Sequence, residues 1–155
     1  MIEISKCKYE DIDAILEIER RSFKFPYDKQ TFWYYIATHT AGFLVAKDGG
    51  KIVGYVIFSY DKAKATIVSI AVDHQCRRIG TGSILLKAAL QSLPVNMNVV
   101  ELQVSVNNQE AISFYTSHGF KKLSSLRKYY PDGSDATVMA LAVDRQAKFQ
   151  TKAQQ

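Results

Sequence analysis

The stretch RRIGTGSILL, residues 77 to 86, sets two arginines and two glycines immediately before an apolar run. The first turn of a helix has unpaired N–H groups and a partial positive charge, so a helix starting here would attract an anion. Gly80 and Gly82 lack a Cβ, which lets a phosphate approach the backbone, and Arg77 and Arg78 add charge. The same residues also suit a plain turn with a glycine-started helix and two solvent-facing arginines. On this stretch alone both readings stand. Neither G-x-x-x-x-G-K-S/T nor G-x-G-x-x-G occurs, so the common nucleotide motifs do not apply. His39, His74 and His118 are scattered, Cys7 and Cys76 form no C-x-x-C pair, and no spacing suits a metal. No metal is expected.

The elements that must position these residues follow from hydrophobic periodicity. Ile2 and Ile4 alternate with polar neighbours, as in a strand. Ile12, Ile15 and Leu16 then recur at helical spacing as far as about Ser22. FKFPYDKQTF breaks the pattern at Pro26, and Asp28 suits the cap of a second helix through Ile36. AGFLVAKDGGKIVGYVIFSY is two apolar runs around Asp48-Gly49-Gly50, a hairpin signal, and KATIVSIAV reads as a central strand apolar on both faces. Leu86, Ala89, Leu90 and Leu93 give a helical stripe that Pro94 ends. In VVELQVSV, Val100, Leu102, Val104 and Val106 share one strand face. A short helix from about Gln109 to His118 is closed by Gly119, and PDGSD joins two last strands, FKKLSSLRKYY and ATVMALAV. The order is β-α-α-β-β-β-α-β-α-β-β, an α/β domain over residues 1–143, followed by a loose tail at 144–155 without apolar periodicity.

The bulk numbers fit this reading. The 155 residues suit one domain, and 47% hydrophobic with 23% charged residues is an ordinary globular balance. No apolar run approaches the roughly 18 residues of a membrane helix. MIEISKCKYED reads as a strand rather than a secretory leader, and two isolated cysteines suit a reducing cytoplasm. A net charge of +5 favours an anionic partner, but the lysines and arginines are scattered. Nucleic acid is therefore not expected as the main partner.

IAVDHQCRRIGTGSILL resembles the acetyl-CoA motif of the GNAT superfamily of N-acetyltransferases, Q/R-x-x-G-x-G/A, matched by Arg77, Gly80 and Gly82. VNNQEAISFYTSHGF is similar to a second block of that superfamily, N-x-x-A-I-x-x-Y-x-x-x-G-F, matched by Asn108, Ala111, Ile112, Tyr115, Gly119 and Phe120. The resemblance covers residues 1 to about 143. It implies a GNAT-type mixed, mostly antiparallel sheet with a V-shaped splay between its central strands, flanked by helices. It also implies that Ile70, Ala71 and Val72 bind the pantetheine arm of acetyl-CoA through their backbone. The pyrophosphate would then rest on the amides of Arg77, Arg78, Ile79, Gly80, Thr81 and Gly82, with Asn108 and Tyr115 completing the cofactor set.

Within the superfamily, ERRSFKFPY, VSIAV and RKYYPDGSDATVMAL resemble RimI/Ard-type protein N-α-acetyltransferases. This implies acetylation of protein or peptide N-termini, with Tyr27, Tyr129 and Tyr130 on the substrate side, and a ribosome or auxiliary subunit as a further partner. Aromatic packing in a loop and a hairpin is the competing account of these tyrosines. The same fold could instead acetylate a small amine such as a polyamine or aminoglycoside, or bind CoA without catalysis.

Acetyl transfer needs a neutral amine, a donor for the thioester oxyanion and a proton for the leaving thiolate. Tyr115 matches the tyrosine that supplies this proton, and a backbone N–H near Val72 suits the oxyanion. The usual base positions hold Gln103 and Thr66, which cannot take a proton at neutral pH. Glu101 shares a face with Gln103 but lies about 7 Å along the strand, close enough to act only through water.

Overall fold

Asp28 and the Gly49-Gly50 pair act where the sequence puts them. The Asp28 carboxylate accepts from the Thr31 amide at 2.9 Å and starts a helix. Gly49 and Gly50 take φ of 57° and 83°, the left-handed backbone that a tight hairpin turn requires. A computed structural model describes residues 1–77 and 79–143. Seven strands and four helices lie in this range: β1 Ile2–Lys6, α1 Ile12–Ser22, α2 Lys29–Ala37, β2 Ala41–Asp48, β3 Lys51–Tyr60, β4 Lys64–Val72, α3 Thr81–Ser92, β5 Val99–Ser105, α4 Gln109–Ser117, β6 Lys121–Leu126 and β7 Ala136–Ala142. The strands form one mixed sheet in the order β1-β2-β3-β4-β5-β7-β6, flanked by the helices. The tail at 144–155 lies outside the described residues.

Contacts divide the chain into two units. The first comprises Met1–Ser59 and Ile67–Leu93. Its core joins Ile12, Ile15, Leu16 and Ile18 of α1 to Phe32 of α2, Phe43 and Val45 of β2, Ile52, Tyr55 and Ile57 of β3, and Ala71 of β4. Gly54 of β3 is a packing requirement. A Cβ there would stand 2.9 Å from the Ala71 carbonyl oxygen and 3.0 Å from Leu85 Cδ1, so only glycine lets β3, the end of β4 and α3 meet this closely. Leu85 joins Leu86 and Ala89 as the buried stripe of α3, with Leu93 buried at its C-cap, whereas Leu90 is half-buried. On β4 the burial alternates. Ile67, Ser69 and Ala71 are buried, while Val68, Ile70 and Val72 are half-buried, so the strand is not closed on both faces as its composition suggests.

The second unit comprises Tyr60–Thr66 and the chain from Pro94 onward. Here β7 pairs antiparallel with both β5 and β6. The first residues of β4 run parallel to β5, and the register ends after three pairs, at Thr66 and Glu101; β4 then continues to Val72. Val100, Leu102 and Val104 are buried, as the alternation of VVELQVSV requires. β6 is shorter than FKKLSSLRKYY suggests and stops at Leu126. Lys128 adopts a φ of 51°, its amide bonds to Asp135 Oδ1 at 3.0 Å, and the amides of Tyr129 and Tyr130 bond to the Ser134 carbonyl. Those bonds close a turn where an extended ladder would otherwise continue.

Candidate active site

In the first unit, β4 leads through Asp73 and a 3-10 turn at His74–Cys76 to the start of α3. Asp73 is buried, its amide bonds to the Val53 carbonyl at 2.7 Å, and its Oδ1 accepts from the Gln75 amide at 3.2 Å. Arg77 does not extend into solvent. Its Nε donates to the Val72 carbonyl at 3.0 Å and its Nη2 to Ser22 Oγ at 3.3 Å, so the guanidinium ties the end of β4 to the end of α1. Arg21 Nη1 adds a second tie to the same loop, 3.9 Å from Asp73 Oδ2. Arg78 lies outside the described residues.

Gly80 is the N-cap of α3, with φ 88° and ψ 4°, and no side chain caps the helix. Helix geometry leaves the amides of Thr81 and Gly82 without an intrahelical acceptor. A Cβ built on Gly80 would meet nothing within 4 Å among the described residues, so the cap position itself is uncrowded. Thr81 is buried, and its Oγ1 has no hydrogen-bond partner among the described residues. A buried hydroxyl without a partner is costly. Together, open first-turn amides and an orphaned hydroxyl are what a bound phosphate group would satisfy, so these residues fit the diphosphate of acetyl-CoA. Ile70, Ala71 and Val72 stand at the end of β4, just before this loop.

Tyr27 sits between α1 and α2 in the same unit, partly exposed, its ring 6.3 Å from that of Phe32 in an edge contact. Its amide donates to Glu19 Oε1 at 3.0 Å. Glu19 is almost fully buried, and its other oxygen accepts from the Tyr55 hydroxyl. The Tyr55 oxygen lies 3.2 Å from Ser69 Oγ of β4. Burial pushes the Glu19 carboxyl up to about 7, partly offset by the bonds from the Tyr27 amide and Ser69. Sequence reasoning missed this cluster, although a signal exists: Ile12, Ile15 and Leu16 define an apolar stripe whose next place is residue 19, and that place holds a glutamate.

The second unit carries the other candidates. Asn108 caps α4, its Oδ1 accepting from the Ala111 amide at 3.1 Å. Tyr115 is buried on α4 between the rings of Phe114 at 5.3 Å and Phe120 at 5.6 Å. Burial, and then the neighbouring Tyr130, raise its phenol above the usual tyrosine range. Tyr129 and Tyr130 stack edge to face at 5.0 Å in the turn after β6. Gln103 is exposed, and Glu101 is ion-paired to Lys64 at 2.5 Å across the short parallel ladder. No cluster of three His, Cys, Asp or Glu side chains suited to a metal occurs among the described residues.

Comparison with known proteins completes the picture. The model of the GNAT acetyltransferase family matches residues 12–120. The chain is 36% identical to an N-alpha-acetyltransferase of Sulfurisphaera tokodaii over 151 residues, covering 88% of this chain and 90% of the relative. The crystal structure of Ard1 from Thermoplasma volcanium superimposes with a TM-score of 0.86 and 31% identity, covering 93% of this chain and 99% of that one. The ribosomal-protein-S18-alanine N-acetyltransferase of Escherichia coli superimposes with a TM-score of 0.84 and 32% identity, covering 93% and 95%.

Proposed function

The chain belongs to the GNAT family of acetyltransferases, and from that premise we propose that it transfers an acetyl group from acetyl-CoA to the α-amino group at the N-terminus of a protein or peptide. The likeness to an N-alpha-acetyltransferase over nearly nine-tenths of both chains carries this reading. Acetyl-CoA, when bound, supplies an acetyl group activated as a thioester. The backbone of Ile70, Ala71 and Val72 would hold its pantetheine arm, and the amides of Ile79 to Gly82, with the Thr81 hydroxyl, would hold its diphosphate. Arg77 contributes by fixing the loop, because its guanidinium is engaged with Val72 and Ser22.

Tyr115 keeps its proton at Oη throughout the working pH range, since burial raises its phenol. That proton would go to the departing sulfur, and the proton shed by the acylated amine would pass through water and restore the phenol. A backbone N–H near Val72 would face the acetyl oxygen, and Tyr27, Tyr129 and Tyr130 are the residues that would hold the peptide. Neither Gln103 nor Thr66 can act as a base, and Glu101 is committed to Lys64. The nucleophile must therefore arrive largely neutral. An α-amine with a pKa of about 7.7 to 8.0 is roughly 300 times more neutral at pH 7 than a lysine near 10.4. This chemistry favours the α-amine of a protein N-terminus; the likeness to the ribosomal-protein-S18-alanine N-acetyltransferase supports ribosomal N-termini among the substrates and a cytoplasmic setting.

The test is incubation with acetyl-CoA and peptides that carry a free N-terminus and an internal lysine, with spermidine as a parallel substrate, read by mass spectrometry. Acetyl groups are expected on the N-terminus alone. In Tyr115→Phe, kcat should fall by about 10²-fold with little change in the KM for acetyl-CoA. Acetylation of lysine or spermidine in preference to the N-terminus would defeat the reading, as would CoA binding without turnover on any peptide.

A further inference from the structure

We propose that Glu19 is a positioning residue: held by Tyr55 and Ser69, it fixes the backbone of Tyr27 and thereby sets how tightly the loop between α1 and α2 holds a peptide. The proposal rests on the assignment of Tyr27 to the substrate side. Tyr27 is gripped at two points. Its amide is bound by Glu19 Oε1 at 3.0 Å, and its ring rests edge-on against Phe32 at 6.3 Å. Both grips lead to Tyr55. The Tyr55 hydroxyl donates to the other Glu19 oxygen, and its ring lies 5.8 Å from Phe32. Phe43, at 5.8 Å from Phe32 and 6.0 Å from Tyr55, closes the aromatic cluster. Ser69 anchors the Tyr55 hydroxyl to β4, the strand that carries Ile70, Ala71 and Val72.

A core requirement alone does not explain a carboxylate here. Residue 19 continues the apolar stripe of Ile12, Ile15 and Leu16, where leucine would pack without burying a charge. A carboxylate offers acceptors on two oxygens at once, and those oxygens take an O–H from the core and an N–H from a loop. Leucine could do neither. The ties to the anion loop use the neighbouring side chains Arg21 and Ser22, so releasing Tyr27 need not release Arg77 or Asp73.

The test compares Glu19→Leu, Glu19→Gln and Tyr55→Phe by steady-state kinetics and by NMR amide exchange at Tyr27. In Glu19→Leu, the peptide KM should rise by about tenfold, the loss expected for one hydrogen bond to a charged group. The KM for acetyl-CoA should stay within about twofold, and the Tyr27 amide should exchange at least about tenfold faster. Glutamine still accepts from the Tyr27 amide, so Glu19→Gln should restore both readouts to near wild type. Tyr55→Phe, which leaves the carboxylate in place but unanchored, should fall between. Adding Glu19→Leu to Tyr27→Ala should cost nothing further. Unchanged Tyr27 exchange in folded Glu19→Leu would overturn the proposal, as would a parallel rise of both KM values or failure of glutamine to rescue. If Glu19→Leu does not fold, Tyr55→Phe with unchanged Tyr27 exchange overturns it equally. A wild-type protein inactive on every peptide defeats the functional reading instead, and the exchange result then decides the Glu19 proposal by itself.

Discussion

The last turn of α1 and the first turn of α3 belong to the same unit and treat buried polar groups in opposite ways. In α1, Glu19 shares its two oxygens between Tyr27 and Tyr55, and Ser22 Oγ takes a bond from Arg77. In α3, the cap is a glycine without a capping side chain, and the Thr81 hydroxyl is buried with no partner among the described residues. The starts of α2 and α4 are closed as well, since Asp28 and Asn108 cap them. A closed set of polar contacts needs nothing from outside the chain to complete it. An open one costs stability until something outside the chain completes it. On the function proposed above, the closed end is scaffold and the open end is where the diphosphate would sit.

The sharpest way to break the contrast is to put a charge into the open end. Gly80→Asp adds a carboxylate where a Cβ meets nothing, so the fold should survive at about 1–2 kcal/mol of backbone strain from the left-handed φ. Like charges at contact range near a surface repel by about 4 kcal/mol. Acetyl-CoA affinity, measured by calorimetry, should therefore drop by about 10³-fold. Unchanged binding by the folded variant would remove the diphosphate from the α3 start.

The closed end can be probed through pH. The Glu19 carboxyl is raised from its ordinary 4.5 to about 7 on folding. Folding therefore binds its proton, and this contribution to stability is complete below about pH 4.5, declines as pH rises through that window, and is gone above about 7. Glu19→Gln does not titrate. Relative to the wild type, the glutamine variant should gain stability between pH 4.5 and 8, by on the order of 3 kcal/mol in all. Denaturant titrations at the two pH values check this. A stability difference independent of pH would mean that Glu19 ionises as easily folded as unfolded.

These two ends differ in how much of them could be read from the chain. The glycines of the open end are local, and so are Asp28, Asn108 and the Gly49-Gly50 turn. Each acts within three or four residues along the chain, which is why the element order and the position of the loop before α3 were legible. Glu19 was visible only as a break in an apolar stripe, because Tyr55 and Ser69 lie 36 and 50 positions away along the chain and meet it only after β3 and β4 pack. Two other features escaped for the same reason. The engagement of Arg77 with Ser22 spans 55 residues, and the early end of β6 depends on Asp135 reaching back to Lys128. The unsatisfied state of Thr81 is a property of burial, which spacing does not encode.

A capped helix start provides the control. Asn108→Ala removes the oxygen that accepts from Ala111, and loss of an N-cap of this kind costs about 1 kcal/mol. Thermal unfolding should show that loss. If Asn108 acts mainly as a cap, calorimetric affinity for acetyl-CoA should change by no more than about twofold. A larger loss would give Asn108 the direct cofactor contact that the motif implies, and α4 would then share the behaviour of α3.

The smallest change makes the finest test. Thr81→Val replaces a hydroxyl by a methyl of nearly the same size and keeps the β-branch, so helix propensity and packing volume barely alter. Thr81 Oγ1 is buried and unpaired among the described residues. Removing such a group relieves a desolvation cost, and the unliganded variant should be more stable by about 1 kcal/mol. If the hydroxyl completes its bonding on the diphosphate, the same variant should bind acetyl-CoA about fivefold more weakly, the equivalent of about 1 kcal/mol. Stability and affinity would then move in opposite directions. Because a ligand that binds only the folded state adds stability by mass action, the gain in melting temperature should shrink or reverse at saturating acetyl-CoA. A gain that persists unchanged with ligand would make Thr81 a packing residue and leave the first-turn amides to hold the anion without it.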